Sequence, residues 1–398
     1  MKEKEIIKSL QQDIVIPDIV QKKADLALKK INNESKMIVL RSRKRKWKTM
    51  WIAAAAAVLA LGTTVCAAVY MYQSKGLKAE LQMTPEDKVL LEKSDYMAPI
   101  VDETDTHESI TAEGITVTPL QMIVDERFAW LSFKVEGYDL EEGEEPWFDT
   151  VNIVVDEDEE AVISYFSSFY DGLMLDENRN FIYEDGTPAT DAQGHLVMKY
   201  VDEEGCMEYI IQINGTHYER GLVGASLHVT FAGLGTINKA EFTPDIDAIW
   251  EFDMELKGSD EVRKATLSAP LGDTGATVTY AEISPISIYV NYDFLLQREE
   301  IEAEKDGETI TTTTFVEAPD IEGVRLKDGT LVTGIMDGGS VGYADSSETL
   351  YTASYAFSQV IDTKEIDALL FVKTKPEVGE DGRYKAWGGE NFYIVPIE

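Results

Sequence analysis

The sequence predicts a mainly β protein: a short N-terminal cytoplasmic helix, one transmembrane helix, and then exported tandem antiparallel β-sandwich domains of the immunoglobulin-like type. Three observations lead to this expectation. Residues 50–72 form an uncharged, largely apolar run. Beyond it, apolar and polar residues alternate with a period of two, the mark of strands with one buried face. Pairs such as Asn214-Gly215, Asp306-Gly307 and Asp328-Gly329 punctuate those segments with residues that tolerate the positive φ of tight turns.

Taken in chain order, residues 1–48 read as a cytoplasmic arm. Pro17 and Asp18 open a helical pattern, Pro17 suiting a first turn and Asp18 complementing its positive end. Ile19, Val20, Ala24, Ala27, Leu28 and Ile31 then recur at spacings of three and four, with Lys22, Lys23, Lys29 and Lys30 on the other side. A helix of this length is marginal alone in water and needs something to bury its apolar stripe against. Ile19, Val20, Ala24, Leu28 and Ile31 are therefore the expected anchors for a cytoplasmic partner. A membrane surface would suit the same stripe.

Residues 49–73 read as the transmembrane helix. A run of this length spans roughly 34 Å as a helix, enough for a hydrocarbon core of about 30 Å. Trp47, Trp51, Tyr70 and Tyr72 flank it where amphipathic rings prefer the interface. The chain carries 36 Lys plus Arg and 73 Asp plus Glu; 14 and 6 of these fall in residues 1–72, leaving 22 and 67, so the arm is +8 and the remainder −45. Positive residues stay inside, so Arg41, Arg43, Lys44, Arg45, Lys46 and Lys48 are the expected determinants of topology, with the N-terminus cytoplasmic and the C-terminal region extracellular. Their place beside the membrane, helped by anionic headgroups, accounts for them without nucleic acid. About 48 residues precede the apolar run, too many for a cleaved signal peptide.

Residues 74–112 read as a stalk, 113–260 as a first β domain and 261–398 as a second. Ala129, Leu131, Phe133 and Val135 alternate with polar or outward positions, as do Trp250, Phe252, Met254 and Leu256, and Ile286, Ile288, Val290, Tyr292 and Phe294. Gly114-Ile115-Thr116-Val117-Thr118 is echoed by Gly275-Ala276-Thr277-Val278-Thr279, each ahead of one of those strands. Cys66 falls in the apolar run, so Cys206 is expected as a partly buried single thiol and no disulfide staples the β domains.

Few residues point to chemistry. His107-Glu108 begins like a zinc-protease helix, but Thr111 stands where the second histidine belongs. Gly224-Ala225-Ser226-Leu227-His228 lacks the closing glycine of a nucleophile elbow. Asp176, Asn178 and Asn180 open like a calcium loop, but Phe181 replaces the required glycine. The expectation is a protein that is not an enzyme, with no catalytic residues, no cofactor and no metal site.

The arm with its Pro-initiated helix, the single span and Gly114-Ile115-Thr116-Val117-Thr118-Pro119-Leu120 before Val124-Asp125 resemble the Firmicutes membrane proteins called domain of unknown function 4179. Val360-Ile361-Asp362-Thr363-Lys364-Glu365-Ile366-Asp367 and the closing Ile394-Val395-Pro396-Ile397 are similar to the end of such proteins. The resemblance implies a Gram-positive cell-envelope protein that restrains an extracytoplasmic-function sigma factor; it brings no catalytic residues. Residues 1–48 contain neither the His nor the C-x-x-C of zinc-type anti-sigma domains. The expected function is thus a membrane-anchored, anti-sigma-factor-like regulator coupling an envelope signal to the cytoplasm. Its partners are the bilayer, a sigma factor and an envelope ligand, and not nucleic acid. The alternative is a structural or adhesive surface protein.

Overall fold

The computed structural model describes residues 74–100 and 109–398, apart from 142, 159–160, 177–179, 240, 306–307, 345, 378–385 and 398. All of them belong to one compact unit, Thr63–Glu398. They are mainly β, in antiparallel sheets.

The stretch read as a stalk begins with two helices, α1 (Lys75–Glu80) and α2 (Pro85–Lys93). α2 starts on a capping box, Thr84 accepting from the Asp87 amide and Asp87 accepting from the Thr84 amide, with Pro85 at the first helical position. The strands follow: β1 (Met97–Pro99), β2 (Ile110–Ala112), β3 (Ile115–Val124), β4 (Phe128–Glu136), β5 (Glu145–Val155), β6 (Ser164–Phe169), the short β7 (Met174–Leu175) and β8 (Phe181–Ile182), β9 (Cys206–Asn214), β10 (Ser226–Asn238) and β11 (Glu241–Glu255). One sheet runs β1-β3-β4-β9-β6, with β2 also on β3, and a second runs β11-β10-β5.

The chain then repeats the plan with β12 (Arg263–Pro270), β13 (Thr277–Ile283), β14 (Ser287–Asp293), the hairpin β15 (Gln297–Lys305) and β16 (Glu308–Val316), β17 (Ile321–Leu326), β18 (Leu331–Thr333), β19 (Met336–Tyr343), β20 (Leu350–Phe357), β21 (Ile366–Val372) and β22 (Phe392–Pro396). Its sheets run β12-β13-β14-β20-β19 and β18-β17-β21-β22. Position for position, β3, β4, β9 and β6 correspond to β13, β14, β20 and β19, while β5, β10 and β11 correspond to β17, β21 and β22. The repeated Thr-Val-Thr lies at the start of β3 and of β13, each the first strand of a hairpin.

Each sheet pair shares an apolar core. In the first, Phe133 of β4 meets Phe231 of β10 edge-on at 5.0 Å, and Phe148 of β5 lies 5.8 Å from Trp250 of β11. The second is built around Val290, Tyr292, Val324, Leu369 and Phe371. A third cluster joins the halves: Leu77, Leu81 and Leu91 from the helices and Phe128, Trp130 and Ile210 from the first sheet pack with Ile286, Ala356 and Val360 from the second half. This explains β4, where alternation implies one wet face. Trp130 and Ser132 are buried as fully as Leu131 and Phe133, because helices and the second half cover that face.

Several expectations require correction. The tandem immunoglobulin-like sandwiches with a membrane helix give way, among the described residues, to an open β fold of six sheets that keep free edge strands and close into no barrel. Among the described residues no helix is long and apolar enough to cross a membrane. The expected span at 49–73 lies outside the described residues, as do Ile19, Val20, Ala24, Leu28, Ile31, Arg41, Arg43, Lys44, Arg45, Lys46, Lys48 and Cys66. The membrane anchor, the bilayer as partner, the single-pass topology with its cytoplasmic and extracellular sides, and the membrane-anchored regulator built on them therefore have nothing in the fold to carry them, and are set aside. Cys206 is buried and free.

Candidate binding edge and the polar junction

Of the residue clusters that suggested chemistry, His107-Glu108 and Asn178 lie outside the described residues, and Asp176, Asn180 and His228 make local polar contacts. Asp176 accepts from the amide and side chain of Asn180 at 2.8 and 3.0 Å, closing a turn. His228 pairs through Nδ1 with Asp253 at 2.7 Å, and His195 through Nδ1 with Asp191 at 3.1 Å. No group of three or more His, Cys, Asp or Glu among the described residues is placed to hold a metal ion. Burial pushes the Cys206 thiol up, the opposite of an activated nucleophile.

Two polar assemblies hold the halves and helices together. At the junction, buried Asp125 sits in the turn between β3 and β4. Its Oδ1 accepts from the amides of Arg127 and Phe128 at 2.8 and 2.7 Å. Its Oδ2 accepts from the hydroxyls of Ser284, in the equivalent turn between β13 and β14, and of Ser287, the first residue of β14. Beside it, the Arg127 guanidinium donates to Glu282 at 2.5 Å and stacks 3.8 Å over the Tyr289 ring. Burial alone would raise the Glu282 carboxyl, but the Tyr280 hydroxyl, Arg127 and Lys264 outweigh it and hold the group below its usual range. Asp125, Arg127, Glu282, Ser284, Ser287 and Tyr289 line a small notch at this junction.

The second assembly fastens α1. Buried Glu208 of β9 accepts from the amides of Lys75 and Gly76 at 3.0 and 3.1 Å and from the Ser74 hydroxyl. Burial pushes its carboxyl up to about 7 against the pull of those donors. A Cβ at Gly76 would lie 2.6 Å from Ile210 Cδ1 and 2.8 Å from its Cγ1, so a larger residue here makes that side chain shift.

The remaining feature is an edge. Most exposed edges of the fold are protected. β11 alternates acids along its length, β5 carries Glu145, Pro146 and Asp149, and β12 carries Arg263, Lys264, Pro270 and a register break. β19 has Asp337 and a register break, β22 ends in Pro396, and β1, β2 and β18 are three residues each. β6, Ser164-Tyr165-Phe166-Ser167-Ser168-Phe169, has neither charge nor proline and, among the described residues, pairs only with β9. Tyr170 N donates to Glu208 O at 2.8 Å, so in this register Ser168, Phe166 and Ser164 also point their backbone groups at β9. The N–H and C=O of Tyr165, Ser167 and Phe169 then face outward.

Apolar surface clusters around this edge. Phe166 is 67 % exposed and Val162 61 %, and Tyr165 is 42 % exposed with its hydroxyl on Val151 O of neighbouring β5. Phe181, Leu196, Val197 and Met198 add exposed apolar groups from the segment between β6 and β9. Reading the sequence for catalytic groups passed over β6; its signal is a charge-free decade, residues 161–170, set between strongly acidic stretches.

No protein-family model matches the chain, and no curated protein matches it. The resemblance to the domain of unknown function 4179 proteins is therefore corrected, since a member would match a family model. Among solved structures, the chain is similar to one described as the crystal structure of the conserved domain protein from Bacillus anthracis. That match has 13 % identity and a TM-score of 0.38, and covers 75 % of this chain and 92 % of the other.

Proposed function

We propose that the β body is a non-enzymatic protein-binding module that takes up an extended segment of a partner along the free edge of β6. The observation that carries this reading is an uncharged, proline-free edge strand bearing exposed Phe166, with exposed Val162 just before it. β11, β5, β12, β19 and β22 carry charge, proline or a register break, β1, β2 and β18 are short, and β16, a second edge with little charge, belongs to a two-stranded hairpin. An added strand pairs with the outward backbone groups of Tyr165, Ser167 and Phe169, and its alternate side chains pack on Phe166 and Val162. The buried carboxylates of Asp125 and Glu208 are engaged in holding turns and α1, which supports a binding role over catalysis. The duplicated strand order supports treating 113–260 and 261–398 as tandem units, with the binding edge on the first.

Panning a displayed library of short random segments against the full-length protein tests the proposal. Enrichment of segments alternating in β-branched residues, lost against Phe166→Ser, is expected. Enrichment that survives Phe166→Ser together with Val162→Ser, or no enrichment at all, refutes it.

A further inference from the structure

Charge around this edge specifies the partner. Residues 141–208 contain 20 Asp plus Glu and only two basic residues, Arg179 and Lys199, yet 161–170 contain no charge. Ten of those acids precede the decade, three just before β5 and seven in or after it, and ten follow it. β5 lies beside β6, since Phe148 stacks on Phe169 at 5.2 Å and Tyr165 donates to Val151 O at 2.7 Å. Asp156 follows the last residue of β5, and Asp171 lies two residues past the end of β6. Asp156 itself is engaged, accepting from Tyr218 and Ser226 and pairing with Arg220 at 2.8 Å, as Asp202 pairs with Lys75 and Glu184 with Lys78, so the field comes from the acids that remain in these stretches. A strand laid along β6 thus has an apolar middle and an anionic field at both ends.

Resting on the edge-binding reading above, we infer that the occupant is an extended segment with an uncharged, β-branched centre and Lys or Arg at both flanks. A second copy of this chain is the poorer occupant. It would bring the same acidic stretches against each other, at a cost that grows as salt is lowered. A cationic flank gains attraction where the copy meets repulsion, while its centre supplies the pairing and the contact with Phe166.

Three synthetic peptides test this with the full-length protein. All share a centre of alternating valine and threonine, and carry two lysines, two serines or two glutamates at each end. Fluorescence anisotropy is read at about 50 mM and about 500 mM NaCl, where the screening length falls from roughly 14 Å to roughly 4 Å. The lysine peptide is expected to bind about tenfold tighter than the serine peptide at low salt, with the gap closing at high salt and the glutamate peptide weakest. Methylating every second peptide nitrogen is expected to abolish binding in one phase and spare it in the other, and Phe166→Ser to weaken every peptide.

Equal binding of all three overturns the inference about charge and leaves the edge reading standing. If no peptide binds, or both methylation phases bind alike, both fall. A concentration-dependent dimer of the wild type that Phe166→Ser dissolves puts a second copy on the edge and overturns the inference.

Discussion

Replacing Asp125 tests whether the junction is held by one carboxylate bridging two equivalent turns. Asp125 is 1 % exposed and accepts four hydrogen bonds, two from its own turn and two from Ser284 and Ser287 across the junction. Asp125→Ala leaves the amides of Arg127 and Phe128 without an acceptor, and a buried orphan donor costs about 1–3 kcal/mol. The serine hydroxyls lose less, because their oxygens are 3.2 Å apart and can pair with each other. The alanine variant is expected to lose about 3–5 kcal/mol. Asp125→Asn keeps an oxygen for the two amides and turns an NH2 toward the serines; Ser287 Oγ can accept it, whereas Ser284 Oγ already accepts from the Ile286 and Ser287 amides and turns its own hydrogen to Ser287. It gives up the charge and the bond from Ser284, about 1–3 kcal/mol, and stays less costly than alanine because both amides keep their acceptor. Urea unfolding followed by tryptophan emission and far-ultraviolet circular dichroism reads both, Trp130 reporting from the cluster that joins the halves. An alanine variant within about 0.5 kcal/mol of wild type, or an asparagine variant as costly as alanine, refutes the bridging role.

Other perturbations follow from the same geometry. Glu208 titrates near 7 when folded against a usual value of 4.5, so the folded state holds the extra proton between those limits and stability contributed by this group falls as pH rises through that window. Glu208→Gln keeps the acceptor for Lys75 and Gly76 and cannot ionise; relative to it, wild type is expected to lose about 3 kcal/mol between pH 5 and pH 8, and a pH-independent difference in urea midpoints refutes this. Arg127→Lys retains the charge but loses the stack on Tyr289 and the planar donor to Glu282, for about 1–2 kcal/mol by urea unfolding. Phe231→Ala empties the centre of the first core, where Phe133, Phe148, Tyr209 and Phe252 meet its ring, and is expected to cost about 3–5 kcal/mol; a loss below about 1 kcal/mol contradicts that packing.

Strand positions were legible where alternation was strong. Trp250, Phe252 and Met254 face the first core between acidic neighbours, and Ile288, Val290 and Tyr292 do the same in the second half. The candidate site was not legible. β6 shows no catalytic signature, and its edge position depends on β9, some forty residues later in sequence. Asp125 and Ser284 belong to separate turns 159 residues apart, and nothing local to either announces the other. The helices at Lys75–Glu80 and Pro85–Lys93 show how mixed charge conceals packing. Leu77, Leu81 and Leu91 are buried among residues whose average character is polar.

By itself the sequence determined that the chain is rich in strands, where many of them run, and that a basic first 72 residues precede a strongly acidic remainder. Side-chain alternation and charge are local properties, and local properties survive being read in one dimension. Tertiary structure alone decided which strands neighbour which, that β4 is covered on both faces, that two distant turns share one carboxylate, and that β6 is left with its backbone open. A period of two assigns each residue a face but names no partner strand, and the partner is chosen by burying surface between segments far apart in the chain.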